Sequence, residues 1–368
     1  MESCILPCPA TTRLFVSCST VTALFIGGIL VSLLIPKKYV DLKNKYVVIT
    51  GCDSGFGASA LAKIAEDTEA LVIALCLTEN GCEQALTSGA HRAIKCDFLD
   101  EHAIAEAGDE IKRICGGCLW AIVHNAGCVH AGFIDFQPLS NFRRNMEVNF
   151  FAIVNLNQRL MPCVKRTAGR VIIVSSVSGM IVLPSNAAYS ASKFACEAFA
   201  YALRAESFFW GVKVCVINPG PMRTSMAFGF HDTMRASWNA MDNVDPSGLW
   251  KREWSKKWLD EYITKSSAAM SEMAENPMLV VQDIYDAVAN TNPKNRYLSG
   301  VAARTIYRFF WNCPYSWLLA FMKKVTIPPP TIVQQWLCFF FDFIEIFVCD
   351  LSNLWINWSS FNSIILCL

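Results

Sequence analysis

The stretch Tyr46-Val47-Val48-Ile49-Thr50-Gly51-Cys52-Asp53-Ser54-Gly55-Phe56-Gly57 sets the architecture of the chain. Its first five residues are a short continuous apolar run, the composition of a strand buried on both faces. The run passes into a glycine-rich turn and then into a helical pattern over Ala58 to Glu66. In that context the glycines have a physical use. Without a Cβ the backbone can approach a pyrophosphate closely, and the helix N-terminus supplies N–H groups and the positive end of its dipole. The spacing is T-G-x-x-x-G-x-G rather than G-x-G-x-x-G. Taken alone, such a turn is often nothing more than a turn.

Outward from this unit the same alternation repeats. Ala70 to Leu75, His91 to Lys95, Leu119 to His124, Arg170 to Ser175 and Lys213 to Asn218 read as further strands. Glu101 to Ile114, Phe142 to Leu160 and Tyr189 to Phe209 read as helices between them. Helices alternating with buried strands predict an α/β fold with a parallel doubly wound sheet and a ligand across the carboxyl ends of its strands. The second strand ends in Cys76-Leu77-Thr78-Glu79, where a charged residue usually selects the cofactor. The first two places are uncharged, Ser54 is uncharged too, and Glu79 would repel a 2′-phosphate, which favours NAD over NADP. Asp97 after the third strand could bond an adenine amino group or simply cap a turn.

Tyr189 and Lys193 stand four apart in the Ala-rich segment from Ala188 to Phe209, on one face of a helix. A free tyrosine titrates near ~10, and a neighbouring cation favours its phenolate. A phenol tuned in this way can take a proton from an alcohol or return one to a carbonyl. Ser176 lies thirteen residues earlier, after the run Val171-Ile172-Ile173-Val174, where a strand end would aim its hydroxyl at the same point. By default a lone Y-x-x-x-K is a surface pair on an ordinary helix. Asn149, in the apolar middle of the long helix, reads as a satisfied amide, a solvent-facing residue or an opening for a bound water.

The 368 residues are 53 % hydrophobic, and the mean hydropathy of +0.32 is high for a soluble enzyme. Leu14 to Ile35 is a run of 22 residues without a charge, long enough to cross a ~30 Å hydrocarbon core. Pro36-Lys37-Lys38 follows instead of a small-residue cleavage site, which favours an uncleaved anchor over a signal peptide. Lys37, Lys38, Lys43 and Lys45 after the run, against Arg13 before it, place the main domain on the cytosolic side. Trp336 to Cys349 is apolar but holds Asp342 and Glu345, which fits interfacial contact better than spanning. The expected division is therefore an N-terminal segment over residues 1–13, an anchor over 14–35 and one catalytic domain over 45–299. An apolar extension over 300–327 and a membrane-associated tail over 328–368 complete it.

A net charge of +1 without a basic block argues against nucleic-acid binding. The seventeen cysteines have no framework spacing and read as small buried hydrophobes in a reducing compartment. Five unclustered histidines and a single CxxC, Cys115 to Cys118, give no metal site.

Together, Thr50-Gly51-x-x-x-Gly55-x-Gly57, Asn125-Ala126-Gly127, Asn149, Ser176, Tyr189-x-x-x-Lys193 and Pro219-Gly220 resemble the short-chain dehydrogenase/reductase family, in its order and spacing, over about Lys45 to Ser299. Cys76 to Glu79, Met146 to Phe151 and Trp210 to Val214 are similar to the branch of microsomal retinol dehydrogenases, oxidative hydroxysteroid dehydrogenases and 3-hydroxybutyrate dehydrogenase. His124 departs from the family, which usually has a second Asn there.

The resemblance implies a Rossmann-type sheet and the following roles. Tyr189 is the acid/base, Lys193 holds the nicotinamide ribose and assists the tyrosine, and Ser176 holds the reacting oxygen. Asn149 holds a water that relays the proton to solvent. Gly51, Gly55 and Gly57, with Ser54 and Phe56, line the pyrophosphate. Cys76, Asp97, Asn125, Ala126 and Gly127 lie toward the adenosine, and Pro219, Gly220, Met222 and Thr224 close over the nicotinamide.

The resemblance further implies a possible homodimer through the helices of Asn149 and Tyr189. It also points to the endoplasmic reticulum membrane, with the mitochondrial inner membrane as the alternative. Thr224 to Met278 is the expected substrate lobe. Its Trp238, Trp250, Trp254 and Trp258, with Met226, Met234 and Met241, read first as a packed helical core. A lipophilic alcohol, retinoid or steroid, leads as substrate. A 3-hydroxy acid held by Arg223 or His231 is the alternative, and a catalytically silent dinucleotide-binding sensor or scaffold is the reading from another class.

Overall fold

The computed structural model describes residues 37–252 and 254–325. The stretches 1–36 and 326–368, which include the expected anchor and tail, lie outside the described residues. Seven parallel strands form one sheet in the order β3-β2-β1-β4-β5-β6-β7. They are β1 Tyr46–Thr50, β2 Leu71–Cys76, β3 Arg92–Lys95, β4 Ala121–His124, β5 Arg170–Val174, β6 Lys213–Pro219 and β7 Arg296–Ser299. The helices are α1 Gly55–Asp67, α2 Glu79–Thr87, α3 Glu101–Ile114, α4 Leu139–Met146, α5 Ala152–Arg166 and α6 Ala187–Ser207. They continue with α7 Ser225–Phe228, α8 Phe230–Val244, α9 Lys256–Met273, α10 Met278–Ala289, α11 Arg308–Asn312 and α12 Tyr315–Val325.

The apolar runs of the central strands are explained by burial on both faces. Val47 and Ile49 of β1 face one layer with Leu61 and Ile64 of α1 and Ile284 of α10. Val48 faces the other, with Ile111 of α3 and Leu156 of α5. Each such side chain contributes roughly 1.5–3 kcal/mol when fully buried. Helix α1 buries Gly57, Ala60, Leu61 and Ile64, one stripe at helical spacing. Strand order reverses between β1 and β4, and β1 ends there on the glycine turn, so the crevice expected of such a sheet opens at the turn.

Two expectations need correction. The helix expected over Phe142 to Leu160 is two helices, α4 and α5, joined by a π-helical segment at Glu147–Phe151 and running on to Arg166. The sheet also has a seventh strand. Arg296–Ser299 is short, with Arg296 and Ser299 at its two ends, so it lacks the apolar run that marks the central strands.

The tryptophans of the lobe are packed as a separate core. Trp238, Trp250, Trp254 and Trp258 cluster with Ala131, Phe136 and Met234. Met226, in contrast, is exposed. Tyr307, just before α11, and Leu318 and Met322 of α12 pack against Val177 and Ile181, beside the end of β5. Among the described residues, no helix is long and apolar enough to cross a membrane.

Candidate active site

At the carboxyl end of β1, Gly51 (φ +72°) and Gly55 (φ +62°) adopt backbone conformations that side chains rarely tolerate. A Cβ on Gly57 would stand 2.2 Å from the Gly51 carbonyl oxygen and 2.5 Å from Asn125 Nδ2. The turn therefore closes on the N-terminus of α1, where Ser54 occupies the cap position without a side-chain cap bond. An uncapped helix start above a side-chain-free cradle fits a pyrophosphate, with the N–H groups left to bind it.

Thr50 and Asn125 hold this cradle. Thr50 Oγ1 accepts from the N–H groups of Asn125 (3.0 Å) and Ala126 (2.9 Å). Asn125 Nδ2 donates to the carbonyls of Thr50 (2.9 Å) and Gly51 (3.2 Å). The Asn125 amide nitrogen is thus committed to fixing the turn. Thr50 opens the glycine motif in the sequence without an assigned role, although a buried hydroxyl before a glycine turn is the available signal.

Asp53 is the second residue that the sequence reading missed. Its carboxylate accepts from the N–H groups of Leu77 (2.8 Å) and Thr78 (3.0 Å) and from Thr78 Oγ1 (2.8 Å). It ties the glycine turn to the segment after β2 and places a negative charge there. Lys95 stands near the same segment, which the sequence reading had left without a cation, but its ammonium is paired with Glu79 at 3.1 Å. The Cys76 thiol is buried in the core, and burial pushes it up to about 12. Asp97 is exposed and accepts from Leu99 N–H at 2.9 Å, the turn-cap alternative.

The catalytic candidates gather around α6. Lys193 is 3 % exposed, its Nζ donates to the Val174 carbonyl at 3.0 Å, and it lies 5.6 Å from the centroid of the Tyr189 ring. The Tyr189 hydroxyl makes no hydrogen bond among the described residues, and the side chain is half-buried. Ser176, two residues beyond Val174, accepts from Ser178 N–H through Oγ at 3.0 Å. That bond leaves the serine O–H proton available to a reacting oxygen.

Asn149 sits in the π-helical segment and is fully buried. Its Oδ1 accepts from Cys128 N–H (2.8 Å), and its Nδ2 donates to the Cys128 carbonyl (2.9 Å) and to Ser192 Oγ (2.9 Å). The amide is therefore a clamp between the β4 loop and α6. A Cβ on Gly127 would lie 3.1 Å from Asn149 Oδ1 and 3.6 Å from Lys193 Nζ, so the Asn125–Gly127 loop, Asn149 and Lys193 are direct neighbours. Burial raises the Cys128 thiol to about 11 against the pull of Lys193 and Arg144, which keeps it protonated.

Beyond β6, Gly220 N–H donates to the Ser299 carbonyl at 3.0 Å, and Thr224 caps α7 through Ala227 N–H at 3.3 Å. The Met222 side chain is buried in the core, so it offers the crevice its backbone. Glu275 clasps this segment to β7. Its backbone bonds Pro221 and Arg223, and its carboxylate accepts from Val301 (2.9 Å) and Ala302 (3.2 Å). Of the two groups considered for a substrate carboxylate, Arg223 is exposed. His231 is buried against Ser266 Oγ at 2.8 Å, and burial lowers its basicity, which disfavours its cationic form.

Residues 45–234 match the family model described as short chain dehydrogenase. The chain is 32 % identical over 283 residues to 17-beta-hydroxysteroid dehydrogenase type 6 of Bos taurus, covering 75 % of this chain and 86 % of that one. It is 32 % identical over 270 residues to retinol dehydrogenase 7 of Mus musculus, covering 72 % and 84 %. A short-chain dehydrogenase structure from Streptomyces avermitilis superposes with a TM-score of 0.61 at 21 % identity, covering 76 % of this chain and 97 % of that one.

Proposed function

The chain belongs to the short-chain dehydrogenase family, in its retinol and hydroxysteroid dehydrogenase branch, and from that premise we propose that it interconverts a lipophilic alcohol and its aldehyde or ketone with NAD. The observation that carries this reading is the buried Lys193 ammonium beside the ring of Tyr189, whose hydroxyl makes no hydrogen bond among the described residues, with Ser176 at the neighbouring strand end. The nicotinamide ring supplies the hydride acceptor or donor. Ser176 donates its free proton to the substrate oxygen and holds it in place. Tyr189 takes the alcohol proton during oxidation and returns it during reduction. Lys193 stabilises the negative charge that develops on the phenol oxygen, and its desolvated position makes that interaction stronger than in water. The Asn149 clamp keeps α6 and the β4 loop in register around these groups.

The retinoid or steroid class follows from the relatives' names and the apolar lobe. The preference for NAD rests on Asp53 and Glu79, which would repel a 2′-phosphate where Lys95 is already paired. Attachment to a membrane through residues 14–35 belongs to the same reading.

Purified chain is assayed with retinol, a 17β-hydroxysteroid and 3-hydroxybutyrate, each with NAD and NADP. Saturable turnover of retinol or the steroid is expected, and turnover of the hydroxy acid alone sinks the lipid reading. Tyr189→Phe should bind NADH as the parent does and turn over at least about a thousandfold more slowly. Near-normal kcat in that variant removes Tyr189 from the chemistry.

A further inference from the structure

One turn beyond Lys193 on α6 lies Glu197, a buried carboxylate that the proposed chemistry does not use. Its partner comes from β7. Arg296 Nη2 donates to Glu197 Oε2 at 2.6 Å, and the two side chains are only 18 % and 8 % exposed. Asn218, fully buried near the end of β6, sits between them. Its Oδ1 accepts from Arg296 Nη1 at 2.5 Å, and its Nδ2 donates to Glu197 Oε1 at 2.6 Å and to the Ser176 carbonyl at 2.9 Å. Every hydrogen-bonding position of the amide that faces the ion pair is thereby fixed. The carboxylate demands the NH2 side, the guanidinium demands the oxygen side, and the remaining N–H can point only at Ser176. Such short, charge-assisted bonds are both stronger and more directional than neutral ones.

The same helix presses on Ser176 from the other direction. A Cβ on Gly179 would lie 2.7 Å from Ser175 Oγ, 3.0 Å from the Lys193 carbonyl and 3.2 Å from Glu197 Cγ. The turn that begins at Ser176 therefore lies flush on α6 between Lys193 and Glu197. Residues 189, 193, 197 and 201 fall at four-residue spacing, and Tyr201 Oη accepts a further bond from Arg296 at 3.3 Å. One helix face thus carries the acid/base, the cation and the anchor of the serine.

We propose that Glu197 and Arg296, acting through Asn218, are positioning residues that hold the Ser176 peptide at a fixed place relative to Tyr189. This rests on the reading of Ser176 and Tyr189 given above. A buried ion pair could instead serve only to close β6 and β7 on α6, and the two roles differ in how their loss combines with loss of the serine hydroxyl. Glu197→Gln keeps the shape of the side chain but removes one of the two acceptor oxygens that the network needs, forcing donor against donor.

The test is a double-mutant cycle on the full chain, with Glu197→Gln, Ser176→Ala and both together, reading retinol turnover with NAD and the NADH dissociation constant. Glu197→Gln should lower kcat about 10- to 100-fold, with KM and the NADH constant changed by no more than about threefold. In the Ser176→Ala background the same substitution should cost no more than about threefold, because the hydroxyl it positions is gone. Losses that multiply, or a folded Glu197→Gln protein with parental kcat, overturn the inference while leaving the active-site reading intact. A parental kcat in Ser176→Ala overturns both. Where Glu197→Gln does not accumulate as folded protein, Arg296→Lys serves in the same cycle, since lysine keeps the charge and loses the fork. The same sub-multiplicative result is expected, and a multiplicative one is decisive against the inference.

Discussion

The residue at position 124 shows how one side chain can carry a measurable property without touching the chemistry. His124 ends β4, is 1 % exposed, and its Nε2 has no hydrogen-bond partner among the described residues. Burial lowers its pKa to about 4, and the nearby Asn157 amide offsets only part of this. An unfolded histidine titrates near ~6.5, so between about pH 6.5 and 4 the unfolded chain binds a proton that the folded chain does not. The stability associated with a neutral His124 is complete above about 6.5 and is lost as the pH falls toward 4, by about 3 kcal/mol in total. His124→Asn, the residue usual at this place in the family, should flatten the fall of Tm between pH 6.5 and 4.5 relative to the parent. Parallel Tm–pH curves for the two proteins would show that this histidine does not contribute. Thr50 makes the complementary case. Thr50→Val keeps the shape but strands the N–H groups of Asn125 and Ala126, at a cost of about 2–4 kcal/mol. A lower denaturation midpoint together with weaker NADH binding is the expected result, and either change alone would separate the fold from the cradle.

At the scale of elements, the glycine turn and α1 form a unit whose geometry leaves no slack. A methyl group on Gly57 collides with the backbone of Gly51, which cannot move without breaking the Asn125 bonds. Gly57→Ala should therefore abolish NADH binding at concentrations that saturate the parent and lower Tm by several degrees. Fluorescence titration measures the first, and retained affinity would mean that the cradle is softer than the contacts imply. This unit was legible in the sequence because its strand is buried on both faces and its turn carries a recognisable glycine spacing. The placing of Ser176 after a strand and of Tyr189 and Lys193 on one helix was legible too, while the roles given to them and to Asn149 belong to the proposed function. The π-helical segment around Asn149 was not, since one extra residue in a turn leaves the apolar periodicity nearly unchanged. Strand β7 and helix α2 escaped because they are short and mix polar residues among their few apolar ones. The Glu197–Arg296 pair escaped because 99 residues separate its members, and no local pattern announces a contact of that range.

For the molecule as a whole, the division into two cores decides which functions can fail separately. The sheet and its flanking helices hold the glycine cradle and the α6 residues in the two large core layers. The lobe of α8 and α9 has its own core, in which Trp238 packs edge-on to Trp250 with ring centroids 4.5 Å apart and to Phe136 at 5.1 Å. A polar tie joins the two parts: Tyr262 Oη meets Ser185 Oγ at 3.3 Å. Removing a packed aromatic from such a core costs roughly 3–5 kcal/mol. In the lobe that cost falls on a core separate from the two sheet layers, so local opening ahead of global unfolding is expected. Trp238→Ala should accordingly retain NADH binding within about twofold, raise KM for retinol or lose turnover, and show faster amide exchange confined to α8, α9 and the loop around Phe136. Hydrogen exchange read by mass spectrometry checks the confinement. Exchange that quickens equally in β1, α1 and α6 would show that the two cores open as one, and that binding of the cofactor and capture of the substrate cannot be separated in this chain.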